Sequence, residues 1–327
     1  MLDTKRVGVV IIGRNEGERL VRCFASLTAQ LSQLVYVDSG SSDESVNAAL
    51  NASASVVALD MTVPFTAARA RNEGFSRLRK VYPQAEYVQF VDGDCEVSSA
   101  WIPSAVKFLD AHPGVAAVCG RRRERFPENS VYNMLCDMEW DTPIGEAKAC
   151  GGDALMRVDA FESVQGFRPD LIAGEEPELC VRLRATGWKI WRLDQEMTLH
   201  DAAISRFGQW WKRSRRCGYA YAEGAHLHGR PPERHRVNES RRVWIWGLGI
   251  PVIAVGLVLA IGTSGLTILF VYPLQILRLA LRGSFSSKKN WWHALFLMLG
   301  KFPEAVGQLH YFYNRVTGNA AHLIEYK

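Results

Sequence analysis

Tyr87-Val88-Gln89-Phe90-Val91-Asp92-Gly93-Asp94 is an apolar run that ends on two carboxylates separated by a glycine. A short apolar run closed by a turn reads as a buried strand. Two aspartates at i and i+2 on a glycine turn place hard oxygen ligands at a fixed point, which is what holding a divalent cation against a diphosphate requires. An isolated Asp-Gly-Asp is also a common surface turn, so the flanking sequence decides.

Upstream, Val7 to Ile12 reads as a buried strand broken by Gly13-Arg14-Asn15-Glu16, and a helix follows with Leu20, Val21, Phe24 and Leu27 on one face. Leu34 to Val37 is the next strand, ending at Asp38-Ser39-Gly40-Ser41-Ser42-Asp43, where Ser42 or Asp43 caps a helix to about Leu50. Ser55 to Leu59 is a short strand, Ala67 to Lys80 a helix, and Tyr87 to Val91 completes the alternation. Strands separated by single helices predict an α/β fold with a mostly parallel sheet, whose ligand sits at the strands' C-terminal ends. Gly13 to Glu16, Asp38 and Asp92 to Asp94 are therefore expected to converge on one crevice. Neither a G-x-G-x-x-G after the first strand nor a Walker lysine loop is present, which excludes the ordinary dinucleotide and P-loop readings.

Further along, Val115 to Cys119 reads as a strand and Arg121 to Arg125 as a solvated basic face. Gly151 to Arg157 is a loop entering a strand, Leu171 to Arg184 an acidic stretch leading into a helix, and Trp188 to Leu193 a strand. The seven cysteines are scattered with no C-x-x-C pair, which fits reduced thiols and no zinc site. Net charge is +5, with a local surplus: ten Lys or Arg against three Glu from Ser205 to Arg242. Such a patch favours phosphates. A nucleic-acid partner would leave the acidic crevice unexplained.

In this order the motifs resemble family-2 glycosyltransferases of the GT-A fold. The matching segments are Val9 to Glu16, Val37 to Asp43, Ala70-Arg71-Asn72-Glu73-Gly74, Asp92-Gly93-Asp94, Gly151-Gly152-Asp153, Gly166-Phe167 leading to Gly174-Glu175-Glu176-Pro177-Glu178-Leu179, and Arg182 to Trp188. The resemblance covers roughly residues 1–203. It implies a nucleotide-sugar site at Gly13, Asn15, Glu16, Asp38, Arg71 and Asp92, and a sugar pocket at Gly151, Gly152, Asp153 and Glu175. It also implies Mg²⁺ or Mn²⁺ held by Asp92, Asp94 and His200. A metal there would stabilise the charge that develops on a leaving diphosphate. The acceptor hydroxyl needs a base, and the resemblance puts it at Glu176. Glu stands there in place of the commoner Asp, and Glu175 and Glu178 remain alternatives, the latter also explained by the preference for acids at a helix start.

Val243 to Leu277 holds no charged residue across 35 positions. A single span needs about 20, and Gly262-Thr263-Ser264-Gly265 interrupts the run. Two membrane helices, about 243–261 and 266–281, are expected to form a hairpin, with interfacial helices at about 291–314. Arg241 and Arg242 before it, and Arg278, Arg282, Lys288 and Lys289 at or after its end, place both flanks in the cytosol. Residues 204–242 read as a basic amphipathic helix on the bilayer surface followed by a linker with His226, His228 and His235. The resemblance makes an arginine of that helix, Arg213, a candidate diphosphate contact. The N-terminus carries only the short apolar run Val7 to Ile12, too short for a signal peptide, so the first domain is expected on the cytosolic face of the cell membrane.

These observations together predict an inverting transferase that moves one sugar from a nucleotide-sugar, UDP-linked in first expectation, to a lipid-linked acceptor among membrane lipids, in envelope polysaccharide or glycolipid assembly. The processive Q-x-x-R-W motif is absent, which favours single addition. The competing reading is a non-catalytic sugar-nucleotide-binding scaffold subunit, supported by Glu at position 176.

Overall fold

The structure, a computed structural model, describes residues 4–319 and residue 324. It divides into two compact units, residues 1–127 with 136–203, and residues 128–135 with 204–327. Residues 128–135 thus group with the C-terminal unit rather than with the first domain, and 204–242 and 243–327, separated in the sequence reading, form one unit.

In chain order the first part reads β1 (Val7–Gly13), α1 (Glu18–Thr28), β2 (Leu34–Asp38), α2 (Ser45–Asn51), β3 (Ser55–Ala58), α3 (Ala67–Val81), β4 (Tyr87–Asp92), β5 (Cys95–Val97), α4 (Trp101–Ala111), β6 (Val115–Glu124), α5 (Val131–Glu139), β7 (Gly145–Ala147), β8 (Ala154–Arg157), α6 (Val158–Ser163), α7 (Glu175–Ala185) and β9 (Lys189–His200). The four strands β3-β2-β1-β4 pair in parallel, and the register sets Gly13 opposite Asp38 and Ile12 opposite Asp92. The polar residues after β1, β2 and β4 therefore emerge side by side. The other half of the sheet is mixed: β8 lies antiparallel between β4 and β6, β6 and β9 are parallel, and β5 and β7 pair antiparallel to β9.

The core explains why the chain folds this way. The strand residues Val7 to Ile11 are fully buried, as expected where helices cover a parallel sheet. Gly74 lets α3 lie against β1 and β2, because a Cβ there would collide with Val10 and come within 2.8 Å of Val37 Cγ2. Phe90 packs between Phe161 and Phe167 with ring centroids 5.2 and 5.3 Å away. The buried polar Gln89 is satisfied, accepting from Trp101 Nε1 at 2.8 Å and donating to the Phe90 carbonyl.

Two strands run further than the sequence indicates. β6 continues through Arg121 to Glu124, so the basic triplet is not a solvated face: Arg121 is buried and Arg122 largely so. Likewise β9 continues to His200, which ends a strand instead of standing in a loop.

The second unit contains α8 (Phe207–His228), α9 (Val237–Val243), a π-helical turn (Trp244–Gly249), α10 (Ile250–Ile261), a 3₁₀ stretch (Gly262–Phe270), α11 (Val271–Ala280), α12 (Lys288–Leu299) and α13 (Lys301–Thr317). Contrary to a helix lying free on a bilayer, α8 buries one face, Trp210, Ser214, Gly218, Tyr219 and Ala222. Gly218 and Gly307 allow backbone contact between α8 and α13, since a Cβ on either would strike the other helix's carbonyls. His226 and His228 are the last turn of α8, not linker. After α10, Gly262 adopts a positive φ of 71° and the chain turns back, bringing Gly265 against Leu257 and Val258 and the Tyr272 hydroxyl to the Trp246 carbonyl oxygen. Among the described residues, one helical stretch, Val237–Ala280, is long and apolar enough to cross a membrane, and only 6% of its most apolar window is buried.

Candidate active site

Arg71 organises the crevice. It sits on α3, whose start is fixed by the Thr66 hydroxyl accepting from Arg69 N at 3.1 Å. The side chain is buried, and it donates from Nη2 to Asp92 Oδ1 at 2.8 Å and from Nη1 to Glu175 Oε1 at 2.9 Å and Glu176 Oε1 at 3.1 Å. Glu175 and Glu176 open α7 behind Gly174, whose φ of 79° favours glycine. One guanidinium thus joins the end of β4 to the start of α7. Burial opposes its charge, but the carboxylates of Glu176, Asp92 and Glu175 more than offset this and hold Arg71 firmly protonated.

Glu176 has the opposite problem. Burial first, and then the neighbouring Glu175 charge, disfavour its ionised form, and Arg71 offsets this only in part, so its pKa is pushed up to about 7. Glu178 is otherwise engaged: Arg182 grips its carboxylate at 2.8 and 3.0 Å one turn along α7. Asp92 is partly buried, which opposes its charge, yet Arg71 and then Arg122 outweigh this and hold it below the usual carboxylate range.

Gly152 lies directly on this network. A Cβ there would sit 2.5 Å from Arg71 Nη2, 3.0 Å from Glu176 Oε1 and 3.3 Å from Asp92 Oδ2. Gly151 is open around its Cα. Asp153 is fully buried and braces the turn, accepting from Asp92 N at 3.1 Å and from the Thr198 hydroxyl at 2.9 Å.

Asp94 and His200 meet beside it, with Asp94 Oδ1 3.3 Å from His200 Nε2, both side chains buried. Residues Asp94, Cys95 and His200 bring one potential ligand atom each within 4.8 Å of one another. Burial holds the Cys95 thiol well above its ordinary pKa, so it stays protonated and the oxygen and nitrogen are the competent donors. Glu124 Oε2 stands 3.8 Å from His200 Nδ1, and the Trp140 ring meets His200 edge-on at 4.7 Å.

At the β1 and β2 ends, Asp38 is buried and shapes its own turn, accepting from Gly40 N at 3.1 Å and Ser41 N at 3.0 Å on Oδ2 and from the Tyr36 hydroxyl at 3.2 Å on Oδ1. Asn15, at a φ of 54°, ties the two loops together: its Oδ1 accepts from Ser42 N at 2.8 Å and its N donates to Ser41 Oγ at 3.0 Å. Glu16 pairs with Arg19 at 2.8 Å, and Gly13 packs under the Tyr36 hydroxyl. Arg213 lies on α8, in the second unit.

Sequence reasoning missed Arg122, Cys95 and Glu124. The triplet Arg121-Arg122-Arg123 looked solvated because three consecutive charges usually are. Its continuation from the apolar Val115 to Cys119 signals a longer strand, but the register shifts that aim Arg122 inward lie in the pairing with β9 and leave no local mark.

The family model described as "Glycosyl transferase family 2" matches residues 8–163, a span that runs from β1 through Arg71 and the Asp92-Gly93-Asp94 turn to α6. Residues 8–163 are thus similar to a family 2 glycosyltransferase domain. No curated protein matches the chain. Among solved structures, it is similar to the mannosyltransferase PcManGT from Pyrobaculum calidifontis, in complex with GDP-Man and Mn²⁺, at 20% identity and a TM-score of 0.62, over 93% of this chain and 87% of that one. It is also similar to glucosyl-3-phosphoglycerate synthase from Mycobacterium tuberculosis, in complex with Mn²⁺, UDP-Glc and phosphoglyceric acid, at 18% identity and a TM-score of 0.50, over 69% and 80% of the two chains. At these identities the likeness is one of fold, the GT-A arrangement of the glycosyltransferase domain.

Proposed function

We propose that the chain is an inverting glycosyltransferase that moves a single sugar from a nucleotide-sugar to a lipid-linked, membrane-presented acceptor at the cytosolic face. The observation that carries this reading is Glu176. A partly buried carboxyl with a pKa of about 7 has the proton affinity a general base needs at neutral pH. Arg71 holds it on the same guanidinium as Asp92, so the base keeps a fixed separation from the donor-side turn. In-line attack by an acceptor hydroxyl, deprotonated by Glu176, inverts the anomeric centre.

The donor set fits a divalent cation of the Mg²⁺ or Mn²⁺ type. Asp94 offers a carboxylate oxygen and His200 an imidazole nitrogen, 3.3 Å apart and buried, and among the described residues His200 Nδ1 has no hydrogen-bond partner. Asp94 and His200 would hold the ion with oxygens of the donor diphosphate, and the ion would supply Lewis-acid stabilisation of the leaving charge. Asp92 belongs to the nucleotide side instead, because arginines already occupy both of its oxygens. Asp38, Asn15 and Glu16 line the base-binding end, and Gly151 and Gly152 the sugar end. The PcManGT complex makes GDP-Man the second donor to try after UDP-sugars.

The uncharged run from Val243 to Leu277, flanked by Arg241, Arg242 and Arg278, supports attachment to the bilayer and therefore an acceptor that arrives from it. The test is release of nucleoside diphosphate by detergent-purified protein over a panel of UDP- and GDP-sugars, with Mn²⁺, Mg²⁺ or EDTA, and with or without membrane lipid extract. Release that needs metal and lipid and collapses in Glu176→Gln is the expected result. Donor binding without turnover under any condition would hand the case to the scaffold reading.

A further inference from the structure

We propose that Arg122 is a positioning residue for the donor site, holding the Asp92 carboxylate in its binding orientation independently of Arg71. This rests on the proposed placement of Asp92 on the nucleotide side. Arg122 reaches the crevice because of an irregularity in β6: the pairing with β9 shifts register between Cys119 and Arg121 and again between Arg121 and Arg122. Such shifts re-aim side chains next to active sites. The neighbours turn elsewhere, Arg121 to Asp137 at 3.0 Å and Arg123 to Glu196 at 2.7 Å.

The contacts of Arg122 are those of a clamp. Its Nη2 donates to Asp92 Oδ2 at 3.3 Å and to Cys95 Sγ at 3.6 Å, and its Nε lies 3.6 Å from Asp153 Oδ2. The guanidinium carbon sits 4.8 Å from the centroid of the Trp140 ring, which closes its other side. Asp92 is therefore gripped on Oδ1 by Arg71 from α3 and on Oδ2 by Arg122 from β6.

Two grips matter because Arg71 is shared. Its Nη1 serves Glu175 and Glu176, and a base must change charge during each turnover. When Glu176 takes a proton, the pull on Arg71 changes, and Asp92 held by Arg71 alone would shift with it. Among the described residues Arg122 holds Asp92, Cys95 and Asp153 and touches neither glutamate, so its hold on Asp92 is insensitive to the state of the base. A planar fork stacked on an indole is needed for this, and a lysine supplies neither the fork nor the stack.

The test is binding of GDP-mannose and UDP-glucose by calorimetry to the full chain in detergent, for wild type, Arg122→Lys, Asp92→Asn and the double variant, with melting temperatures alongside. For the donor that wild type binds, Arg122→Lys is expected to weaken affinity about tenfold, the scale of one charge-assisted hydrogen bond. The double variant is then expected to bind no worse than the weaker single one, because both act through the same carboxylate. Wild-type-like affinity of Arg122→Lys, or penalties that multiply in the double variant, overturns the assignment. Arg122→Gln replaces Arg122→Lys should the latter fail to fold. A wild-type chain that binds no sugar nucleotide at all would overturn the glycosyltransferase reading beneath it, a separate outcome.

Discussion

Glu176 Oε1 lies 3.1 Å from Arg71 Nη1, yet the Glu176 carboxyl has a pKa of about 7 rather than its ordinary 4.5. An ion pair alone would lower it. Burial and the adjacent Glu175 charge win because Arg71 divides its charge among three carboxylates. The kinetic consequence is an acidic limb: kcat should rise with pH through about 7 as the base loses its proton. Glu176→Gln should lower kcat by roughly two to four orders of magnitude and abolish that limb. A pH–rate profile of both proteins checks this, and an unchanged limb in the variant would remove Glu176 from the role of base.

The same shift has a stability signature of definite sign. Between pH 4.5 and about 7 the folded chain keeps a proton on Glu176 that the unfolded chain has released. Stability from this group therefore falls as pH rises across that window, and the full penalty persists above it, on the order of 3 kcal/mol. Glu176→Gln should melt higher than wild type at pH 8, and the difference should vanish near pH 4. Thermal unfolding at the two pH values measures it. Equal melting temperatures at pH 8 would mean the partly buried carboxyl is not strained.

Gly152→Ala tests whether the loop before β8 is fitted to the charged network. The added methyl would sit 2.5 Å from Arg71 Nη2 and 3.0 Å from Glu176 Oε1, so the guanidinium or the carboxylate must move. A displacement of that size at a positioned base costs on the order of a hundredfold in rate. Gly151→Ala, where the Cβ meets nothing within 4 Å, is the matched control and should remain active. Equal activity of the two variants would detach Gly152 from the site.

Gly74→Ala separates fold from chemistry. Its Cβ would press on Val10 and Val37, so α3 must lift from the sheet, at a cost of about 1–3 kcal/mol. Because Arg71 rides on the same helix, lifting α3 should lower kcat as well as the melting temperature. Denaturant unfolding together with steady-state kinetics reads both. Full activity at unchanged stability would show that the helix has room.

How much of this was legible in the sequence follows from how local each signal is. The parallel half of the sheet was readable because each strand is a short apolar run bounded by its own turn, and the register then brings Gly13, Asp38 and Asp92 together without further information. In the mixed half β6, β8 and β9 were readable as strands, but β5 and β7, three residues each, were not, since they owe their existence to pairing with β9. Glu176 could be picked out by motif position, but its raised pKa depends on Glu175 and Arg71 meeting across 104 and 105 residues of chain. Arg122 was hidden for the same reason: three adjacent arginines carry no local mark of which one faces inward, and the register shift that decides it belongs to the pairing with β9.

The C-terminal unit gives the last prediction. Leu259, on α10, is 83% exposed, and Val255 one turn before it is 62% exposed. In water, charge at such positions would be neutral or helpful, since exposed apolar surface contributes nothing to the core. In a bilayer, each lysine near the centre of a span costs about 2.5–3.5 kcal/mol. Val255→Lys with Leu259→Lys should therefore shift the protein out of the membrane fraction while leaving nucleotide-sugar binding by the first unit intact. Fractionation of cells expressing wild type and the double variant, with donor binding measured in detergent, makes the comparison. Wild-type protein found in the soluble fraction, or a double variant that stays in the membrane as wild type does, would take the Val243–Leu277 run out of the lipid and with it the lipid-borne acceptor.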